Sequence, residues 1–284
     1  MTLRNTLQLK ISYAKYLLQT LPKGRVGTYR QRQVVFISRD PERPDISSKK
    51  ERRLYTDSKK GAKYLKLISQ YQNAKAEYDK LMNEWKTYYA GSPTIIKFPL
   101  DQNLLSGLTP EFFKNARPNK NTFENKDPIE YNGQIMRSKN ELLAVKEIEK
   151  MGFEWKTEVY VNINGKRFYP DVTFHVPFIQ CALMLETEGK MGDPEYRKES
   201  INREYKYYQA GFNLFDDVII YRTKNSHSFD SDLLKFEIDM AIEKIATRII
   251  EGTSEIPYNH SIKNGFQTEN PGIWDEYYDD QFEG

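Results

Sequence analysis

Three acidic residues are placed so that their carboxylates can converge on a cation. Glu141 follows Arg137-Ser138-Lys139-Asn140 at the head of an amphipathic run, Asp171 follows Pro170 at the end of a segment turned by Asn164-Gly165, and Glu186 closes the apolar run Cys181-Ala182-Leu183-Met184-Leu185. A helix delivers the first of them and consecutive strands the other two. Carboxylates are hard oxygen donors suited to Mg²⁺ or Mn²⁺. An ion held this way lowers the pKa of a bound water and stabilises charge developing on a phosphoryl oxygen, so the chemistry is metal-assisted phosphodiester hydrolysis. Each residue also has a structural use. Ser138 with Glu141 three positions on has capping-box spacing, Pro-Asp at a strand end often only turns the chain, and Glu186 could pair with a lysine.

The elements that must position these residues follow from periodicity. The run 138–151 is a helix whose Leu142, Leu143, Val145, Ile148 and Met151 face a core, with Ser138 as N-cap and Gly152 just past its end. Strands are expected over 155–163, 166–175 and 179–188, the first two joined at Asn164-Gly165. Asp193-Pro194-Glu195 starts a helix that runs to Ala210 before Gly211, 217–221 is a buried strand, and 229–251 is a long amphipathic helix. Helix, three strands, helix, strand, helix makes a mixed α/β sheet with helices on its faces.

Upstream, 3–20 reads as an amphipathic helix and Val34-Val35-Phe36-Ile37 as the apolar part of a short β ribbon. One long charged helix or helical hairpin is expected over 48–89, with Gly61 as a point of interruption. Residues 91–136 contain Pro93, Pro99, Pro110, Pro118 and Pro128 without sustained periodicity and read as a linker. The division is therefore a basic helical region over 1–90, the linker, an α/β domain over 137–252 and an acidic, aromatic tail over 253–284.

Composition limits the function further. No apolar run approaches the roughly 20 residues of a membrane span, and Arg4, Asn5 and Lys10 interrupt any signal-peptide core, so a cytoplasmic location is expected. Cys181 is the single cysteine, which excludes an intrachain disulfide, and the three histidines are scattered without zinc-ligand spacing. The net charge of +3 conceals an asymmetry: residues 1–90 hold 20 Lys and Arg against 8 Asp and Glu, and the remainder is net acidic. Such a basic region either tracks a phosphate backbone or is simply solvated.

With these residues the chain resembles the PD-(D/E)XK nuclease superfamily, the restriction-endonuclease-like fold. Arg137-Ser138-Lys139-Asn140-Glu141 is similar to its helical glutamate, Tyr169-Pro170-Asp171 to its PD, and Leu185-Glu186-Thr187-Glu188 to its acidic strand. The stretch Glu186 to Tyr196, the opening Leu21-Pro22-Lys23-Gly24 and the lysine-rich helix are similar to uncharacterised bacterial and phage members, so the resemblance covers most of 20–250. It implies an αβββαβ core in which Asp171 and Glu186 ligate Mg²⁺ or Mn²⁺, the carbonyl of Thr187 completes the shell and Glu141 binds or orients a second ion. The chain departs from the family at the motif lysine, where it has Glu188. Alternatives are Lys190, if the strand extends that far, Lys198, Arg203 or Lys206 on the next helix, or Glu188 as an extra metal ligand.

The function expected is a Mg²⁺-dependent DNA endonuclease encoded by a phage or mobile element. Lys59, Lys60 and Lys63, with Lys198, Arg203 and Lys206, would hold DNA. The alternative is a catalytically inactive protein of the same fold that binds DNA or serves in a virion. A weaker third reading is a helical interaction protein. A protein partner would dock on the helix over 48–89 or on the tail over 274–284. The tyrosines Tyr205, Tyr207 and Tyr208 either stack on bases or sit half-buried.

Overall fold

A computed structural model describes residues 2–46, 51–101, 108–117, 128–163, 166–225 and 228–252. The chain divides into two compact units, Met1–Phe98 and Pro99–Gly284. Among the described residues no helix is long and apolar enough to cross a membrane.

The first unit contains α1 (Arg4–Thr20), β1 (Lys23–Tyr29), β2 (Arg32–Arg39), β3 (Arg52–Tyr55) and α2 (Lys59–Tyr88). The apolar stripe of α1 buries Leu7, Ile11 and Ala14 against Leu81 and Trp85 of α2. The three strands form an antiparallel sheet with β2 in the middle. One face of that sheet is closed by α2, where Val35 and Ile37 pack with Tyr64 and Ile68. The helix expected over 48–89 is shorter than its pattern suggested, because Arg52–Tyr55 pairs with β2 as a third strand and α2 begins only after Ser58. Ser58 caps it by accepting from the Gly61 N–H. Gly61 does not interrupt the helix: a Cβ there would lie 1.8 Å from the Tyr55 carbonyl oxygen, so glycine lets the first turn press against β3.

The second unit contains α3 (Pro110–Asn115), β4 (Ile129–Tyr131), β5 (Gln134–Met136), α4 (Lys139–Lys150), β6 (Glu154–Thr157), β7 (Val161–Ile163), β8 (Lys166–Phe168), β9 (Val172–Val176), β10 (Cys181–Glu188), α5 (Pro194–Ala210), β11 (Val218–Arg222) and α6 (Ser231–Glu251). Four strands make a mixed sheet in the order β11-β10-β9-β6, with β10 and β11 parallel and the other pairs antiparallel. Parallel neighbours need a crossover, and α5 supplies it. Strand alternation points Ala182 and Met184 toward Tyr207 and Ala210 of α5, in a core shared with Phe112 of α3 and Val218 and Ile220 of β11. Leu183 and Leu185, on the other face, are wholly buried on the side where α4 and α6 lie.

The mixed α/β class agrees with the sequence. Three details differ. The stretch read as a linker contains α3, capped by Thr109 with Pro110 in its first turn, and a β4–β5 hairpin turned by Asn132 and Gly133, both at positive φ. The first long strand breaks into β6 and β7 because Glu158 adopts a left-handed φ of 45°. The second breaks at Tyr169-Pro170-Asp171, so β7 and β8 pair apart from the main sheet. The Asn164-Gly165 turn and the acidic tail lie outside the described residues.

Candidate functional site

Each acidic residue reaches the site by local rules. Ser138 is the N-cap of α4, and its hydroxyl accepts from the Glu141 N–H at 3.2 Å. The Glu141 carboxylate accepts from the Arg137 N–H at 2.8 Å, one residue before the position a capping box would use. Capping thus turns Glu141 inward, where it is buried. Asp171 stands at the start of β9, and its Oδ2 accepts from the Thr187 N–H at 2.7 Å and the Thr187 hydroxyl at 2.8 Å. On β10, Glu186 accepts from the Tyr207 hydroxyl at 2.6 Å and pairs with Arg203 at 3.3 Å, both on α5.

Asp171 is close enough to Glu141 and to Glu186 to raise the proton affinity of each. Burial, and then Asp171, push Glu141 up to about 8. Burial and Asp171 likewise push Glu186 up to about 7, against the pull of Arg203 and the Tyr207 hydrogen bond. Asp171 is the shared neighbour that couples the helical acid to the strand acid.

A fourth acid was not anticipated from the sequence. Glu158 is 3% exposed, sits in the left-handed conformation that breaks the first long strand, and forms an ion pair with Arg137. Burial pushes its pKa up to about 8, opposed by Arg137, with Asp171 and Glu141 adding to the rise. A left-handed glutamate is costly, and such strain concentrates at functional sites. The alternation of Trp155, Thr157, Val159 and Val161 assigns Glu158 to the polar face, which is why the sequence conceals it. Arg137 lowers the proton affinity of Glu141, Glu158 and Glu186 together, so one guanidinium serves three carboxylates.

Two residues after Glu186, Glu188 is tied down differently. Glu188 is 1% exposed and pairs with Arg222 Nε at 3.0 Å, while the other end of the same guanidinium contacts Glu204. β10 ends at Glu188, so Lys190 lies beyond the strand in an exposed turn, its carbonyl accepting from the Asp193 N–H. Lys198 is exposed on α5 and Lys206 half-buried, so Arg203 is the member of that group that reaches the acids. Lys59, Lys60 and Lys63 are exposed at the start of α2 in the first unit, where cations oppose the helix dipole. Tyr207 is buried, while Tyr205 and Tyr208 are exposed on α5.

Removing Arg222 tests the weight of this second pair. Arg222→Met should leave Glu188 buried without a counter-charge and destabilise the protein by roughly 3 kcal/mol, at the low end for a broken buried pair because the guanidinium is partly exposed. Urea denaturation would read this, and an unchanged midpoint would show that the Arg222–Glu188 pair contributes nothing to the fold.

Hard, buried carboxylates around the charge of Asp171 are a donor set whose repulsion a divalent cation would relieve. Their chemistry fits Mg²⁺ or Mn²⁺. Among the described residues, though, no three acidic, histidine or cysteine side chains surround one point, since Asp171 and Glu186 direct oxygens to Thr187, Tyr207 and Arg203. The fold and site define a mixed α/β protein carrying a buried cluster of carboxylates interleaved with arginines. No protein-family model, curated protein or solved structure matches the chain.

Proposed function

We propose that the second unit is a metal-dependent nuclease of PD-(D/E)XK type acting on DNA. The observation that carries this reading is that Asp171, at the head of β9, lies near enough to Glu141 of α4 and to Glu186 of the adjacent β10 to raise the proton affinity of each. A cation drawing the three oxygens together would have to take them from Thr187, Tyr207 and Arg203. Asp171, Glu186 and Glu141 are the residues that would hold Mg²⁺ or Mn²⁺, and the bound ion would supply an activated water and charge neutralisation at the phosphate. Arg203 and Arg137 stand beside the acids and are the cations placed to meet a phosphate, in the role the absent lysine would otherwise share. Lys59, Lys60 and Lys63 add a basic surface for the DNA backbone.

The experiment is nicking of supercoiled plasmid with Mg²⁺ or Mn²⁺, against EDTA and against Glu186→Ala. Cleavage that requires both the metal and Glu186 supports the reading. Metal-dependent cleavage unchanged in Glu186→Ala would overturn it. A second reading, a DNA-binding or assembly protein that keeps the fold without the chemistry, is favoured by the Arg222–Glu188 pair and by Lys190 lying outside the strand. It predicts DNA binding with no cleavage under any metal.

A further inference from the structure

The three-stranded sheet of the first unit has a second face, and its residues follow from the register. Arg25, Gly27 and Tyr29 of β1, Arg32, Val34 and Phe36 of β2, and Arg53 and Tyr55 of β3 alternate onto the side away from Val35, Ile37 and Leu54, which pack toward α2. The result interleaves cations and rings. Arg25 lies over the Phe36 ring at 4.1 Å, Arg32 over Tyr55 at 4.3 Å, and Arg53 reaches across the smaller Val34 to lie over Tyr29 at 4.6 Å. Tyr29, Val34, Arg53 and Tyr55 line a hollow of about 310 Å³.

Charge and strain point the same way. Arg25, Arg32 and Arg53 are exposed. Glu51 and Asp57, which pair with Arg25 and Arg32, do so at the surface, where such pairs contribute little and exchange readily. Among the described residues no acid pairs with Arg53 or Arg30. The β1–β2 turn is built from Arg30 and Gln31, both at positive φ, where Asn-Gly would cost far less. That turn holds Arg30 5.3 Å from the Tyr29 ring, so a strained backbone places one more cation at the edge of the face.

We propose that this face is a platform for single-stranded nucleic acid, with the Tyr29 and Tyr55 rings and the guanidinium planes stacked on them receiving bases, and Arg25, Arg30, Arg32 and Arg53 receiving phosphates. A single strand is the occupant because ring faces and stacked guanidinium planes are of use only to unpaired bases, whose own faces are free. A duplex hides its base faces and would gain only the charge. The hollow lies at the lower end of the range for small-ligand sites, which suits one base. The inference rests on the reading that the chain engages nucleic acid and not on hydrolysis at Glu141, Asp171 and Glu186.

The test is fluorescence anisotropy of the full chain with labelled oligothymidine at low salt in EDTA, where no metal-dependent cleavage can occur. The double variant Tyr29→Ala/Tyr55→Ala should weaken binding by about tenfold or more, and Tyr29→Phe/Tyr55→Phe should bind like the parent, because stacking needs the ring and not the hydroxyl. Should the alanine pair fail to fold, Arg53→Glu tests the same face from an exposed position and should weaken binding comparably. The proposal is overturned if the folded alanine pair binds oligothymidine as the parent does, or if the parent itself does not bind it. It is equally overturned if duplex and single strand are weakened alike. Loss of duplex binding in Lys59→Ala/Lys60→Ala/Lys63→Ala, with the sheet-face variants silent, would overturn the platform while leaving the proposed nuclease untouched.

Discussion

Asp171→Asn is expected to give a more stable protein at alkaline pH and to lower steeply the metal-dependent cleavage proposed above. Asp171 is the neighbour that raises the proton affinity of both Glu141 and Glu186, so its charge is a standing electrostatic cost in the folded state once those groups ionise. Asparagine keeps the shape of the side chain and an oxygen for the two Thr187 donors at 2.7 and 2.8 Å, while the charge is gone. The relief should be worth about 1–3 kcal/mol at pH 8, taking each unit of pKa as about 1.4 kcal/mol. For a domain of this size that is a rise of several degrees in Tm, at roughly 2–4 °C per kcal/mol. The same substitution removes a proposed metal ligand, and losing the several kcal/mol of charge stabilisation an ion provides should lower cleavage by on the order of a thousandfold. Differential scanning fluorimetry in EDTA and plasmid nicking in Mg²⁺ read the two effects separately. An unchanged or lower Tm would show that the acids do not repel one another in the fold. A gain in stability with cleavage intact would remove Asp171 from the chemistry.

The second large effect is a stability that falls as pH rises. Glu141 and Glu158 have folded pKa values pushed up to about 8, and Glu186 to about 7, above the ordinary glutamate value of 4.5. A group whose folded pKa is raised holds its proton more tightly in the native state, so its contribution is fully present below the unfolded pKa and is lost as pH climbs through the folded one. Across the window from about pH 5 to pH 8 the metal-free protein should therefore lose on the order of a few kcal/mol, the reverse of the trend set by salt-bridged carboxylates. Adding Mn²⁺ should oppose the loss, since a cation binds the ionised acids and stabilises only the folded state. Thermal midpoints in EDTA across that window, repeated with Mn²⁺, decide the matter. A midpoint that rises with pH in EDTA would mean that Arg137 and Arg203 outweigh burial. A profile that Mn²⁺ leaves unmoved would argue against a metal at these acids.

These expectations depend on features of unequal visibility. The residues with local signatures could be read directly. Ser138 and Asp193 mark helix starts in the sequence, and α4 and α5 begin where those caps stand. Gly211 at positive φ closes α5, as its position after Ala210 suggests. The Asn132-Gly133 hairpin was equally legible by its dipeptide but was masked by the prolines around it. Glu141, Asp171 and Glu186 were legible from their local neighbours, the Ser138 cap, Pro170 and the apolar run 181–185.

The remaining features were decided by contacts between residues far apart in the chain. Arg52–Tyr55 is a strand because β2 offers it an edge, and its own helical periodicity loses to that pairing. Glu158 reads as a solvent-facing strand residue until the left-handed turn drives it beside Arg137. Arg222 meets Glu188 only because β10 and β11 lie parallel and in register, with the two residues opposite each other. The interleaved arginines and tyrosines of the first sheet likewise belong to one face only once three strands are aligned. Secondary structure and the identity of the three acids follow from short-range backbone preferences and hydrophobic period, which act within a few residues. Which charges neutralise one another, and which faces are left open, depends on strand register and on the burial that tertiary packing imposes.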